Sequence, residues 1–492
     1  MSTESKKPEE KKEEKATPKD NLVESKHSVK INGKAIKYTV TTGTIVLKEE
    51  ITDKEKDAEI EKPRAQIFFI AYTKDGVKDN GKRPITFSFN GGPGSSSVWL
   101  HMGVLGPRRV VLKDDGNLPA PPFKLTDNQY SLLDETDLVF IDPMGTGYSR
   151  PVEGEKAKEW HGFKKDIESV GDFIRLYVTR YKRWLSPKFL AGESYGTTRA
   201  AGLSGYLQDR HGMYLNGLML ISAVLDFTTI DFNLNNELPY ILFLPAYAAT
   251  AWYHGKLKSK GTLQALLKEV EGFATGDYAA ALFKGASLTP EERANIVDKL
   301  ARYTGISKEF TERTNLRIAD KHFFKELLRD RGRTIGRLDS RFTGIDRSGV
   351  TETFEYDPLL TNVLGPYTAA FYDYVRSELK FESDLPYEIL SGKVWTNWSY
   401  SEFENKYVNV AETLRQSMTY NPYLKVFVAN GYYDLGTPYF ATEYTFDHLG
   451  LDPSLRGNVS MGYYDAGHMM YIHIPSLKAM KRDLAKFIKD AQ

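Results

Sequence analysis

The stretch "AGESYGTTRA", residues 191–200, brackets Ser194 between Gly192 and Gly196 in the spacing Gly-x-Ser-x-Gly. Glycines at those two places let a chain turn sharply from a strand into a helix and present the central hydroxyl at the tip. With 39 glycines in 492 residues, chance supplies this spacing in roughly a fifth of such chains, so the neighbouring segments must carry the case. A serine hydroxyl attacks poorly unless a base takes its proton and a carboxylate orients the base. In folds that use this turn, the chain order is Ser, then Asp or Glu, then His. Of nine histidines, only His448, His468 and His473 fall in the last fifty residues. His448, in "YTFDHLG", sits where a helix would end before Gly450, and a cation is favoured there by the helix dipole alone. His473 follows the apolar "MMYI" and needs no role beyond packing. His468, in "YDAGHMM", follows a strand and a glycine, where a base can reach over the carboxyl edge of a sheet, and is the candidate base.

For the acid, Asp434 closes the strand-like "LKVFVANGYYD" and precedes the turn "LGTP". Asp465 lies only three residues before His468 and would have difficulty reaching round to its ring. Asp142 also ends a strand but precedes Ser194, against the order. A strand-end aspartate can equally be a turn residue; Asp434 is chosen by its order and place. Acyl transfer further needs donors for a developing oxyanion. "FNGGPGSSS", residues 89–97, offers a loop whose glycines allow close backbone approach and whose Pro93 stiffens it.

These residues require a particular scaffold. Period-two patterning begins near Val29, where "VKINGKAIKYTVTTGTIVL" reads as a hairpin about Asn32-Gly33. Strands "AQIFFIAYT", "PITFSFN" and "TDLVFIDP" follow, then a helix from about Lys164 to Tyr181, then the strand "KFLA", the turn at Ser194 and another helix. Strands alternating with helices predict an α/β fold with a mostly parallel central sheet covered on both faces. Residues 236–395 read as a mainly helical insertion, or lid, between a first core part (26–235) and a closing part (396–492). Within it, Thr289 is a predicted N-cap, Pro290 the first helical residue, Glu292 the capping-box partner and Gly305 the stop.

Composition excludes some classes. Lys plus Arg (66) balances Asp plus Glu (65), leaving no basic surplus for nucleic acid. There is no cysteine, which removes thiolate chemistry and disulfides together. The opening "MSTESKKPEEKKEEKATPKD" has no apolar run and predicts a disordered charged tail over residues 1–25. No stretch approaches 18 apolar residues, so a soluble protein without a membrane span is expected. The compartment would be cytoplasmic if the chain is complete, and secreted or periplasmic if a signal peptide was removed. No metal or nucleotide motif is present, and no cofactor is expected.

Taken together, "NGGPGSSS", "DPMGTGYS", "GESYG", "NGYYDLGTP" and "AGHM" resemble, in order and approximate spacing, the serine carboxypeptidases, an α/β-hydrolase family. The resemblance spans residues 86–475. It implies a triad of Ser194, Asp434 and His468, an oxyanion hole from the N–H groups of Gly92 and Tyr195, and a substrate-carboxylate site at Asn90 and Glu193. It also implies peptide substrates and an acyl-enzyme, with esterase or acyltransferase action as the alternative use of the same triad and a non-catalytic binding protein as the third reading. A substrate carboxylate against Glu193 requires one of the two to hold a proton, which predicts tighter binding at acid pH. The chain departs from the family pattern in having Phe89 where Trp is common before "NGGPG" and Ser95 where Cys is common after it, and in lacking the family's disulfides.

Overall fold

Residues 18–53, 58–258 and 261–492 are described by the computed structural model. Among them, ten strands join one sheet: Asn21–Ile31, Lys34–Asp53, Ala58–Lys74, Ile85–Phe89, Asp137–Ile141, Arg150–Pro151, Lys188–Glu193, Gly217–Ile221, Lys425–Gly431 and Val459–Tyr464. The first three pair antiparallel in turn, the third pairs antiparallel with Asp137–Ile141, and Arg150–Pro151 attaches to its side. From Asp137–Ile141 the strands run parallel across the sheet through Ile85–Phe89, Lys188–Glu193, Gly217–Ile221, Lys425–Gly431 and Val459–Tyr464. The first hairpin turns at Asn32 and Gly33, whose φ values of 49° and 78° match a two-residue turn with the twist of its strands.

The parallel strands are apolar on both faces because both are covered. Phe189, Met219, Ile221 and Phe427 join a core that includes the helices Pro358–Asp373 and Ile474–Asp490. Leu190, Leu218, Leu220 and Val428 join the opposite core with the helices Phe163–Arg180, Tyr195–His211 and Ala411–Tyr420. A single-residue shift of any of these strands would exchange the two sets.

Three differences from the sequence reading have physical causes. The segment read as tail through residue 25 is a strand from Asn21, because its backbone is satisfied by pairing with Lys34–Asp53 even though most of its side chains face water; residues 1–17 lie outside the described residues. The strand Gly217–Ile221 is added, five apolar residues too short to show a period. Residues 236–395 serve two layers. Helices from Leu238–Tyr253 to Asp320–Glu326 pack on one another through residues such as Leu244, Tyr247, Leu300 and Phe323. Helix Pro358–Asp373 instead buries Leu359, Val363, Tyr367 and Phe371 against the sheet core with Phe68 and Phe140. A helical pattern reveals that one face is buried but not what covers it. The helix Pro290–Thr304 forms with the predicted capping box, Thr289 Oγ1 accepting from Glu292 N–H at 3.2 Å and Glu292 Oε2 accepting from Thr289 N–H at 3.0 Å. Among the described residues, no helix is long and apolar enough to cross a membrane.

Candidate active site

Every candidate residue leaves the sheet at a carboxyl edge: Asn90 after Ile85–Phe89, Ser194 after Lys188–Glu193, Asp434 after Lys425–Gly431 and His468 after Val459–Tyr464. That edge is where open parallel sheets present ligand sites. Asp434 stands three residues beyond its strand rather than ending it, since pairing stops at Gly431.

Ser194 has φ 60° and ψ −131°, a backbone state that costs about 1–3 kcal/mol for a residue with a side chain. The surroundings impose it. Ser194 N–H donates to Ile221 O at 3.0 Å, and Ser194 O accepts from Thr197 N–H at 2.8 Å and Thr197 Oγ1 at 2.7 Å. A Cβ on Gly192 would stand 2.2 Å from Gly196 O, so strand and helix can approach this closely only without a side chain there. A Cβ on Gly91 would be 2.5 Å from Tyr195 N, which is how the "NGGPG" loop comes to lie against the turn.

Behind the turn lies a buried ion pair. Arg199 Nε donates to Asp166 Oδ2 at 2.8 Å, and Arg199 Nη1 donates to Asn90 O at 2.6 Å. Its guanidinium lies 5.3 Å from the Phe89 ring centre and 5.1 Å from that of Tyr195, and Tyr195 Oη donates to the same Asp166 oxygen at 3.1 Å. Phe89 thus offers a cation an aromatic face. Ser95 accepts from Trp99 Nε1 at 2.9 Å and donates to Ser96 O.

His468 Nδ1 donates to Asp434 Oδ2 at 2.8 Å, leaving Nε2 for the pocket. Asp434 is fully buried and has four donors: Gly436 N–H (2.8 Å) and Thr437 N–H (3.0 Å) on Oδ1, Thr437 Oγ1 (2.8 Å) and His468 on Oδ2. Burial pulls the His468 ring toward neutrality, but the adjacent Asp434 carboxylate, helped by Glu193, more than offsets it and raises the pKa above the ordinary value. Among the described residues no hydrogen bond joins Ser194 Oγ to His468, although both line one cavity of about 800 Å³; such bonds commonly tighten only with substrate present.

The other residues weighed from sequence are engaged elsewhere. Asp142 accepts from Ser97 N–H, Ser97 Oγ and Tyr387 Oη, and burial pushes its carboxyl up to about 6. Asp465 holds Arg341 through its backbone carbonyl. His448 Nδ1 donates to Tyr444 O, and His473 Nδ1 is bonded to Ser476 Oγ.

On the other side of Ser194, neither Gly92 N–H nor Tyr195 N–H is used in a hydrogen bond among the described residues, and both residues line the cavity. Asn90 Nδ2 donates to Glu193 Oε1 at 3.0 Å, while Leu100 N–H holds Asn90 Oδ1. Glu193 Oε2 and the nearby Tyr471 hydroxyl lack well-formed hydrogen bonds. Burial, only partly countered by His468, pushes the Glu193 carboxyl up to about 7.

Sequence reasoning passed over a brace from the helical segment. Leu435 N–H donates to Arg337 O, Ser340 N–H to Tyr433 O, and His468 N–H to Leu338 O. Asp339, fully buried, accepts from Gly467 N–H at 2.9 Å and pairs with Arg341. One five-residue stretch therefore ties together the loops that carry Asp434 and His468. The cavity's aromatic wall of Phe227, Trp395, Trp398 and Tyr400 was equally silent, because it depends on folding that only the tertiary structure shows.

A family model described as serine carboxypeptidase matches residues 58–469. Over 160 residues the chain is 34% identical to the pheromone-processing carboxypeptidase KEX1 of Saccharomyces cerevisiae, a match covering 31% of this chain and 20% of that one. Over 161 residues it is 29% identical to serine carboxypeptidase-like 29 of Arabidopsis thaliana, covering 31% and 32%. The matched stretches thus take in a fifth to a third of those relatives' lengths. The crystal structure of the prohormone-processing carboxypeptidase Kex1 from Saccharomyces cerevisiae aligns with a TM-score of 0.56 at 18% identity, over 92% of this chain and 91% of that one, which shows a shared α/β-hydrolase fold. The family match extends from before the Asn90 loop to just beyond His468, and on that match the chain belongs to the serine carboxypeptidase family.

Proposed function

We propose that this protein is a serine carboxypeptidase that releases C-terminal residues from peptides through an acyl-enzyme. Ser194 Oγ attacks the last peptide carbonyl while His468 Nε2 takes its proton; Asp434 holds the ring in the tautomer that leaves Nε2 free to accept. The N–H groups of Gly92 and Tyr195 stabilise the oxyanion, each such donor being worth about 2.7–4 kcal/mol in the transition state. His468 then gives the proton to the leaving amine, and water, activated by the same ring, hydrolyses the ester.

The observation that carries the reading is the buried Asn90–Glu193 pair beside Ser194. A protonated Glu193 and the Asn90 amide can both donate to a carboxylate, and a simple esterase has no need of such a site. Below about 7 Glu193 holds its proton; above it, enzyme and substrate present two carboxylates in a buried place and repel. The apparent KM for free-acid peptides is therefore expected to rise about tenfold per pH unit above neutrality, and Glu193→Gln, whose amide donates at any pH, should flatten that rise. Steady-state kinetics from pH 5 to 9 check it. A Glu193→Gln variant that keeps the wild-type rise would remove Glu193 from carboxylate recognition, and equal cleavage of free-acid and amidated peptides would remove the carboxypeptidase reading itself.

A further inference from the structure

We propose that Arg337 selects peptides with an acidic side chain, Glu or Asp, at the penultimate position, the residue whose carbonyl Ser194 attacks. This rests on the carboxypeptidase reading above.

Among the described residues lining the cavity, Arg337 is the only lysine or arginine. Its guanidinium forms no ion pair or hydrogen bond among the described residues, whereas Arg341 is paired with Asp339 and Arg199 with Asp166. Arg337 is exposed to solvent at the edge of the cavity, and its five planar donors, left without protein partners there, match a carboxylate in charge and shape. The head is positioned from its backbone. Arg337 N–H donates to Asp357 Oδ2 at 3.0 Å, and Arg337 O accepts from Leu435 N–H at 3.0 Å. A Cβ on Gly436 would stand 3.0 Å from Arg337 Nη1, so the side chain lies across the place that this glycine leaves open. Two ionisable groups sense its charge. Asp320, raised by burial, is drawn partly down by it, and His468 is disfavoured as a cation by it; neither closes a bond to it.

The order of strands assigns the subsite. Asn90 follows the strand on one side of the Ser194 strand, while Val224 and Gly436 follow the first and second strands on the other side. A peptide with its terminal carboxylate at Asn90 and Glu193 and its last carbonyl at Ser194 continues toward Val224 and Gly436. The first side chain it presents there belongs to the penultimate residue. Phe227 and Ile230 give that region an apolar wall, while the exposed Arg337 offers a charge-assisted, bidentate contact whose strength is tempered by solvent.

The test uses free-acid peptides alike except for Glu, Gln, Lys or Leu at the penultimate position, with a parallel set varied at the terminal position. The wild type is expected to favour penultimate Glu over Gln in kcat/KM by about threefold to fivefold, the range for a solvent-exposed ion pair. In Arg337→Gln this ratio should fall to near one, in Arg337→Lys a preference should persist, and Arg337→Glu should favour Lys instead. A Glu/Gln ratio indifferent to these substitutions overturns the proposal. So does an acidic preference confined to the terminal residue. An Arg337→Gln variant that loses every peptide equally would also overturn it, since that would mark the guanidinium as general support. If the wild type trims no peptide at all, the carboxypeptidase reading fails and the selectivity with it.

Discussion

Ser194→Ala is expected to lower kcat for peptide release by about a millionfold, the scale found when a nucleophile of this type is removed from an otherwise intact triad. The substitution is mild structurally. Ser194 Oγ makes no hydrogen bond among the described residues, and the backbone bonds to Ile221 and Thr197 that hold φ at 60° do not involve it. Unfolding temperature should therefore stay close to that of the wild type while turnover vanishes and an active-site serine probe no longer labels the protein. Retention of even a hundredth of wild-type turnover by a variant verified by mass would mean that another group attacks the substrate.

Asp434→Asn is expected to cost about 10⁴-fold in kcat, with a small change in KM. The reason lies in the four donors around the carboxylate. Two of them, Gly436 N–H and Thr437 N–H, are fixed in the backbone and demand an acceptor at the Oδ1 position. An asparagine must then place its NH₂ where Oδ2 stands, facing His468 Nδ1. The ring answers by carrying its proton on Nε2, the wrong tautomer for accepting from Ser194. Stopped-flow or steady-state kinetics on one peptide measure the effect; a loss under tenfold would show that the Asp434–His468 bond does not govern the tautomer.

How much of this was legible in sequence varies with the range of the interaction. The turn at Ser194 could be read because its glycines answer a local need, the close approach of strand and helix around Gly192 and Gly196. The capping box at Thr289 and the hairpin at Asn32-Gly33 are local in the same way. His468 was reachable by elimination, since the order of the chain leaves few candidates. By contrast, the brace of Arg337 to Arg341 depends on a segment about a hundred residues or more away from the loops it ties, and no spacing rule connects "GRLDS" to "AGH". The split of residues 236–395 between two layers was hidden for the same reason: amphipathic helices show that they need a partner without naming it. The family resemblance supplied what the residues alone did not, the roles proposed for Asn90, Glu193, Gly92 and Tyr195. Their burial and mutual geometry, including the rise of the Glu193 carboxyl to about 7, come from the fold.

Mass-resolved digestion decides whether a free C-terminal carboxylate is read at Asn90 and Glu193 and the adjacent bond cut at Ser194. One peptide, as free acid and as amide, is incubated with the wild-type protein at pH 6.5, just below the value of about 7 to which the Glu193 carboxyl is raised. The free acid is expected to give a ladder of products shortened one residue at a time from its C-terminus, and the amide to be cleaved far more slowly. Internal cleavage, or two forms consumed at one rate, would contradict that reading.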